Sequence, residues 1–586
     1  LLSILNLFLT ICVAELRIIW GVFAAGVMSS GLSSCGDFLE LEPQNEIILE
    51  KFWNEKADVD GIIAGCYSGM QSNNLMLRMM IWGEFRSDNI SRGQNLDKDL
   101  NIENVLKENI LATNFYTTWD GFYSIINRCN TVIKYAPGVA KKDPNFSDSE
   151  LKADIAEVTA LRALCYFYLI RTFRDVPYST EAFIDDNQKM DLPATKFDVV
   201  LDTLIGDLER VKDDAVEKYP EASSAQRLYQ TGRITKMAIY AMLCEMYLWK
   251  KDYNNCIRYA DLVIDRMKKQ AKEANGGMVN DDYAKTNGYP LIPTDYNSSM
   301  STYGYAYNQI FGTGNSSESI FELTFMPDDN MPSNGAVSLC YGNSKNSGIM
   351  GYASASSFIG DDMESKSFAV FNNKYDARAY ENIMRGNVII KYAHTLSQIN
   401  FSSGTAEVTV IGFFPENKVK TNWIIYRLSD IMLLKAEALA QLISNNETFT
   451  EQDERYYNEA FALVNAVNKR SLCQPLSQIK DTLVASAYNT KEKIELLVMQ
   501  ERQRELMFEG KRWYDLVRRS LRDGNTNFLS TQVLQKFTSN TSAIQNKFRK
   551  LDAIFWPYNV DELKVNKNLH QNPAFGSGEN NSYKNN

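Results

Sequence analysis

The sequence predicts a mainly α-helical protein: a scaffold of helical hairpins with a long loop-rich, partly β region inserted into it. Three observations support this. Apolar residues recur at steps of three and four before residue 275 and again after 423. Small residues fall where paired helices would touch. Between 276 and 422 the periodicity fades, and Gly, Asn, Ser and Tyr crowd together.

Residues 1–34 differ from all that follows. Two apolar stretches, Leu1–Ala14 and Ile18–Met28, flank Glu15 and Arg17 and lead into Ser29-Ser30-Gly31-Leu32-Ser33-Ser34-Cys35. Neither reaches the roughly 20 residues of a membrane span. A short apolar core followed by small residues is the layout of a cleavable export signal. Leu32-Ser33-Ser34-Cys35 resembles the lipobox of bacterial lipoproteins, which implies that the Cys35 thiol carries diacylglycerol.

Residues 35–275 are expected to form the first helical region. In Ala156–Thr172, Val158, Leu161, Cys165, Tyr168 and Leu169 make one apolar stripe. In Ile239–Asp265, Tyr240, Leu243, Cys244 and Tyr247 define one helix and Lys251-Asp252-Tyr253 a turn. Cys256, Ala260 and Val263 line the returning helix, and the whole resembles a tetratricopeptide unit. Further helices are predicted at Phe115–Tyr135, Phe197–Lys212 and Lys491–Phe508. Residues 276–422 read as long loops with strand-like pieces at Ser319–Phe325, Asn387–Tyr392 and Glu407–Phe413. A structureless stretch of that length is uncommon unless it is functional, and its aromatics argue against a linker. Residues 423–586 return to helical spacing, with a second hairpin between Arg427 and Arg470.

Composition removes several function classes. Sixty-two basic against 72 acidic side chains leave a net charge of −10, so the positive field that nucleic acid requires is missing. With His394 and His570 as its two histidines, the chain has little material for a histidine metal site or a Ser-His-Asp triad, and no cofactor is implied. The nine cysteines show no Cys-x-x-Cys spacing and read mostly as small buried hydrophobes, with no disulfide framework. Glu501, Arg504, Glu505, Glu509, Arg512 and Asp515 fall at spacings where ion pairs form along one helix, as do Arg427 and Asp430. Carboxylates on one helix face cannot straddle a glycosidic bond, so a structural role is expected for them. The acid pairs Asp281-Asp282, Asp328-Asp329 and Asp361-Asp362 lack calcium-loop spacing and read as solvated turns.

Five segments in order resemble the SusD/RagB family of surface lipoproteins. They are Cys35-Gly36-Asp37-Phe38-Leu39-Glu40-Leu41-Glu42-Pro43; Ala156–Ala163 running through Phe173-Arg174-Asp175-Val176-Pro177, with Arg174 where the family has Gly; and Arg427–Ala438. The fourth is Glu501-Arg502-Gln503-Arg504-Glu505-Leu506-Met507-Phe508-Glu509-Gly510-Lys511-Arg512-Trp513-Tyr514-Asp515-Leu516, and the last is Trp556-Pro557-Tyr558 with Asn568–Pro573. The resemblance implies a non-catalytic receptor, lipid-anchored at the outer membrane and facing the cell exterior. It would bind an oligosaccharide, or in some relatives a peptide, and deliver it to a SusC-like TonB-dependent transporter. A sugar needs flat aromatics for its C–H face and polar groups for its hydroxyls. That mixture stands in Trp82-Gly83-Glu84-Phe85-Arg86-Ser87-Asp88-Asn89 and in the Tyr-rich stretches. The candidate ligand-binding residues are therefore Trp82, Arg86, Asp88, Asn89, Tyr296, Tyr303, Tyr305, Tyr307 and Tyr352, with no catalytic or metal residue. On this reading Trp82→Ala weakens ligand binding without unfolding the protein. An intracellular helical-repeat adaptor would explain the hairpins but not the lipobox. A surface glycoside hydrolase would explain the loops, but it requires carboxylates held across a cleft.

Overall fold

A computed structural model describes residues 52–575, apart from 97–98, 221–226, 279–284, 296–301, 327–331, 343–350, 361–369, 403–404, 415–417 and 474–482 and the single positions 186, 372, 385, 411 and 447. The export signal, Cys35 and the three acid pairs lie outside the described residues.

The helical frame is a chain of neighbours. α1 (Lys56–Met70) is followed by α2 (Asn73–Met80), α3 (Asp120–Ala140), α4 (Asp148–Phe173), α5 (Phe197–Val211), α6 (Lys236–Lys250) and α7 (Tyr253–Ala274). After the loop region come α8 (Leu428–Leu442), α9 (Glu451–Arg470), α10 (Lys491–Leu506), α11 (Arg512–Asp523) and the short α12 (Val560–Val565). α1 packs on α3, and from α3 each helix packs on the next as far as α9; α10 joins at α8. Residues Trp53–Asn586 form one unit.

Local chemistry sets the ends of these helices. Ser147 Oγ accepts from Glu150 N while the Glu150 carboxylate accepts from Ser147 N, a capping box that starts α4. Thr450 and Asp453 do the same for α9. α6 ends at Lys251 with φ 66°, and Asp252 caps α7 by accepting from Asn255 N, so the turn of the hairpin is two residues long. Cys244 and Cys256 meet across that hairpin with sulfurs 3.7 Å apart, the close approach that small side chains permit. All seven described cysteines are buried and unbridged.

α4 differs from its expected single stripe. From Ala156 to Phe173 it is buried on every side, because neighbours wrap the whole helix. Its charged residues are paired in place: Arg162 to Asp207 at 2.8 Å, Arg171 to Glu245 at 2.8 Å and Glu157 to Arg233 at 2.5 Å.

The loop region contributes small sheets. β5 (Ser319–Leu323) pairs antiparallel with β9 (Trp423–Arg427), fully buried. β1 (Ile90–Arg92) pairs with β6 (Ala353–Ala355), and β4 (Thr302–Tyr303), β7 (Ser397–Ser402) and β8 (Thr405–Val410) form a three-stranded sheet in the order β8-β7-β4. β2 (Val176–Pro177) and β3 (Ala194–Thr195) close a loop beyond α4.

Buried charge fastens these parts together. Arg427, at the end of β9, donates to Glu505 at 2.6 Å and to Glu509 at 2.7 and 3.0 Å. Arg378, from the loop region, reaches Glu501 at 2.8 Å and Glu505 at 2.9 Å, while Lys391 reaches Glu509 at 2.7 Å. Arg470 of α9 bridges Glu505 and Glu318. Surrounding guanidinium groups hold the Glu505 carboxyl well below its usual range despite full burial. Of the expected pairs along one helix, Arg504–Glu501 forms at 2.8 Å. The rest are corrected: Arg427 turns to Glu505 and Glu509, and Asp430 pairs instead with Arg502 at 2.9 Å and Lys511 at 2.8 Å. The carboxylates serve as cross-chain bolts, because once buried each needs several donors and one helix face supplies too few.

Two outcomes follow for stability. Arg427→Met removes the cation that the buried Glu505 and Glu509 carboxylates share, leaving Arg378 and Arg470 on one and Lys391 on the other, and lowers unfolding free energy by about 3–5 kcal/mol, read from urea denaturation midpoints. Glu381, raised to about 7 chiefly by burial, holds its proton more tightly folded than unfolded. Stability from this group therefore falls as pH rises from about 4.5 to about 7. Glu381→Gln removes that part of the slope in pH-dependent melting.

Candidate functional site

The segment Trp82–Asn89 is where sequence and structure part most sharply. It is not a surface loop: α2 runs into a π-helical turn, Ile81–Phe85, and every residue from Ile81 to Asn89 is buried. Gly83 lies so close to Gly510 that an added Cβ would sit 1.9 Å from the Gly510 carbonyl oxygen. Trp82 is 0% exposed, stacks on Phe122 at 5.1 Å and donates its indole N–H to Tyr116 O at 2.8 Å. Arg86 pairs with Glu108 at 2.8 Å, lies over Trp513 at 4.2 Å and donates to the Ile554 and Ala553 carbonyls. Asp88 pairs with Arg512 at 2.8 Å, and Asn89 donates to Glu84 at 2.8 Å while accepting from Gln503 at 2.8 Å. Trp82, Arg86, Asp88 and Asn89 are thus removed from a ligand surface. They join the N-terminal helices to the C-terminal signature, and a buried joint uses the same aromatic and polar mixture as a sugar site.

The tyrosines divide. Tyr303 packs against Ala377, Ile399 and Cys473, and Tyr307 stacks on His394 at 4.2 Å; both are buried and are corrected to core residues. Tyr296 lies outside the described residues. Tyr305 and Tyr352 remain partly open.

Tyr352 sits where the strand that follows the buried joint meets the loop region. Its N–H donates to Leu339 O at 3.0 Å, and its carbonyl accepts from Gly93 N at 2.9 Å, just beyond the β1–β6 ladder. Gly93 is required there, since a Cβ would approach Gly351 O to 2.2 Å. Burial and the Asp99 carboxylate raise the Tyr352 hydroxyl above its ordinary range. Arg92, half exposed and 3.9 Å from Glu103, adds a cation on the adjacent strand. Arg92 pairs with Ala353 across the ladder, so its side chain leaves the face opposite to that of Tyr352.

A separate cavity of about 490 Å³ lies beside α3 and α4, the loop after β2, and α12. Its walls include Trp119, Tyr123, Tyr166, Phe183 and Met190, and the acids Asp120, Asp191 and Glu562 also line it. Polar side chains of the frame hold the loop wall by its backbone. Tyr123 donates to Pro177 O at 2.6 Å, Asn127 exchanges two 2.8 Å bonds with Phe183, and Asn566 donates to Leu192 O at 2.7 Å. Burial raises the Glu562 carboxyl, and the Asp120 charge adds to the shift. Sequence reasoning missed this cavity. The aromatic run Phe115-Tyr116-Thr117-Thr118-Trp119-Asp120-Gly121-Phe122-Tyr123 was a signal, but nothing in sequence links it to Glu562.

A tetratricopeptide-like helical frame dressed with long loops defines the class of the protein, and comparison with known proteins gives the family. Residues 414–575 match the SusD family model, and residues 37–248 match one described as starch-binding and associating with the outer membrane. SusD-like protein P38 of Formosa agariphila is 25% identical over 569 residues, covering 93% of this chain and 96% of that one. A SusD-like protein of Bacteroides ovatus is 24% identical over 229 residues, 38% of each chain. The fold is shared with a SusD superfamily structure from Bacteroides thetaiotaomicron, at TM-score 0.59 and 22% identity, covering 89% of this chain and 99% of that one. A laminarin-binding SusD-like protein shares it at TM-score 0.56 and 18% identity, covering 89% of this chain and 100% of that one. The chain belongs to the SusD/RagB family.

The correction at Trp82 carries its own expected outcome. Trp82→Ala opens a cavity in the joint and costs about 3–5 kcal/mol, seen as a lower thermal midpoint. A variant that melts like the wild type would place Trp82 back among candidate ligand contacts.

Proposed function

We propose that this protein is a lipoprotein of the outer membrane, acylated at Cys35 and facing the cell exterior, that binds an oligosaccharide without transforming it and passes it to a SusC-like TonB-dependent transporter. The observation that carries this reading is the pair of family matches at the two ends of the chain, one of them described as starch-binding and outer-membrane associating. The fold shared with a laminarin-binding protein supports the ligand class. The signature carboxylates support binding rather than hydrolysis. Glu501, Glu505 and Glu509 are each locked to Arg or Lys in the interior, whereas a glycosidase needs two carboxyls free to reach one bond. The ligand surface is assigned to the loop region at Tyr352 and Tyr305, the two candidate tyrosines that stay partly open. A partly open aromatic ring offers a C–H-binding face there, and its hydroxyl offers a donor.

Titration against starch and laminarin fragments by calorimetry tests the ligand. Tyr352→Ala is expected to weaken the best glycan about tenfold, the loss typical of a truncated contact hot spot, with the melting midpoint unchanged. Unchanged affinity would move the site away from Tyr352. Labelled glycan recovered intact after incubation supports binding without turnover; a product that appears with time overturns it. Cys35→Ala is expected to shift the protein from the membrane to the soluble fraction, and equal partition of both forms would overturn acylation at Cys35.

A further inference from the structure

The cavity beside α3 is distant in sequence from the loop tyrosines and has a chemistry of its own. Its volume, about 490 Å³, falls in the range of small-molecule sites. The wall is preformed, since Tyr123, Asn127 and Asn566 pin the loop backbone that closes it. The rim keeps apolar side chains in solvent: Met190 is 54% exposed and Val565 82%. Both side chains line the cavity at its solvent side.

Charge selects among ligands. The acids Asp120, Asp191 and Glu562 line the cavity, and no Lys or Arg is among its lining residues. Asp191 is engaged with Asn568, and Glu562 accepts from Trp119, yet among the described residues neither Asp120 nor Glu562 has an ion-pair partner. The cation nearest in effect, Arg78, is committed to Asn74, Phe115 and Thr118. Asp120 opens α3 and Glu562 lies in the first turn of α12, so helix dipoles account for an acid near each helix start. Dipoles do not account for two carboxylates on one aromatic-walled cavity, one charge raising the other, with no cation among the lining residues. An anionic ligand would be repelled and a neutral one would leave the repulsion in place. A cation on an apolar body would relieve it and gain the faces of Tyr123 and Phe183 as well.

We propose that this cavity is a second binding site, separate from the glycan surface, for a small organic ammonium: an amine on an apolar or aromatic body, its charge at Asp120 and Glu562 and its body against Tyr123, Phe183 and Met190. The probe is phenethylammonium, titrated into the full chain by calorimetry beside the uncharged phenethyl alcohol and the anionic phenylacetate. Saturable one-to-one binding of the ammonium is expected, at least about tenfold tighter than either analogue, a difference of about 1.4 kcal/mol. The Asp120→Asn/Glu562→Gln double variant is expected to lose that tenfold preference. Met190→Lys, at an exposed rim position that leaves the core untouched, is expected to weaken the ammonium by placing a competing cation at the mouth. Equal binding of all three probes, no binding of the ammonium at millimolar concentration, or an undiminished preference in both variants would overturn the proposal. Glycan affinity measured on the same variants is expected to stay unchanged. A loss of glycan binding there would instead merge the two sites, and the separate second site would fall.

Discussion

Buried carboxylates that must find cations hold this molecule in one arrangement. Glu501, Glu505 and Glu509 lie on one short stretch at the end of α10, all in the interior. An unpaired buried carboxylate costs several kcal/mol, so each dictates the position of its partners. Those partners come from the loop region (Arg378, Lys391), from the strand before α8 (Arg427) and from α9 (Arg470). A second set, Asp88 with Arg512 and Arg86 with Glu108, binds the N-terminal helices to the same C-terminal segment. Hairpins pack on neighbours and could slide; charge pairs at 2.6–3.0 Å between distant segments admit one register.

This fastening explains how a frame of helices can carry a loop region built of short strands and helical turns. The loop region is tied down at Glu318, Arg378 and Lys391 and through the β5–β9 ladder. Between those ties its surface can vary in sequence without disturbing the frame. A receptor that must present different contacts to different ligands is well served by that division. In such a division the frame bears the energetic cost of order and the loops are left free to differ. The preformed cavity beside α3 follows the same rule, its loop wall held by backbone hydrogen bonds rather than by packing alone.

Legibility of the fold was high where a pattern is local. The α6–α7 hairpin and its turn at Lys251-Asp252 stand where apolar spacing and small residues put them, because helix periodicity and capping act within a few residues. The strand at Ser319–Leu323 was legible for the same reason. The proposed binding surface was far less so. Trp82, Arg86, Asp88 and Asn89 look in sequence like a sugar-binding loop, and Tyr303 and Tyr307 look no different from Tyr352. Stacking, hydrogen bonding and charge pairing serve a dry joint as well as a wet site, so residue type alone cannot tell them apart.

By itself the sequence determined the helical frame, the family and the structural role of the signature carboxylates. Each rests on short-range periodicity or on contiguous motifs. Only the tertiary structure decided which aromatics face solvent, which cation each carboxylate takes, and that Trp119, Asp120 and Glu562 share a cavity. Burial and long-range pairing depend on segments hundreds of residues apart meeting in space, and no local pattern encodes that meeting.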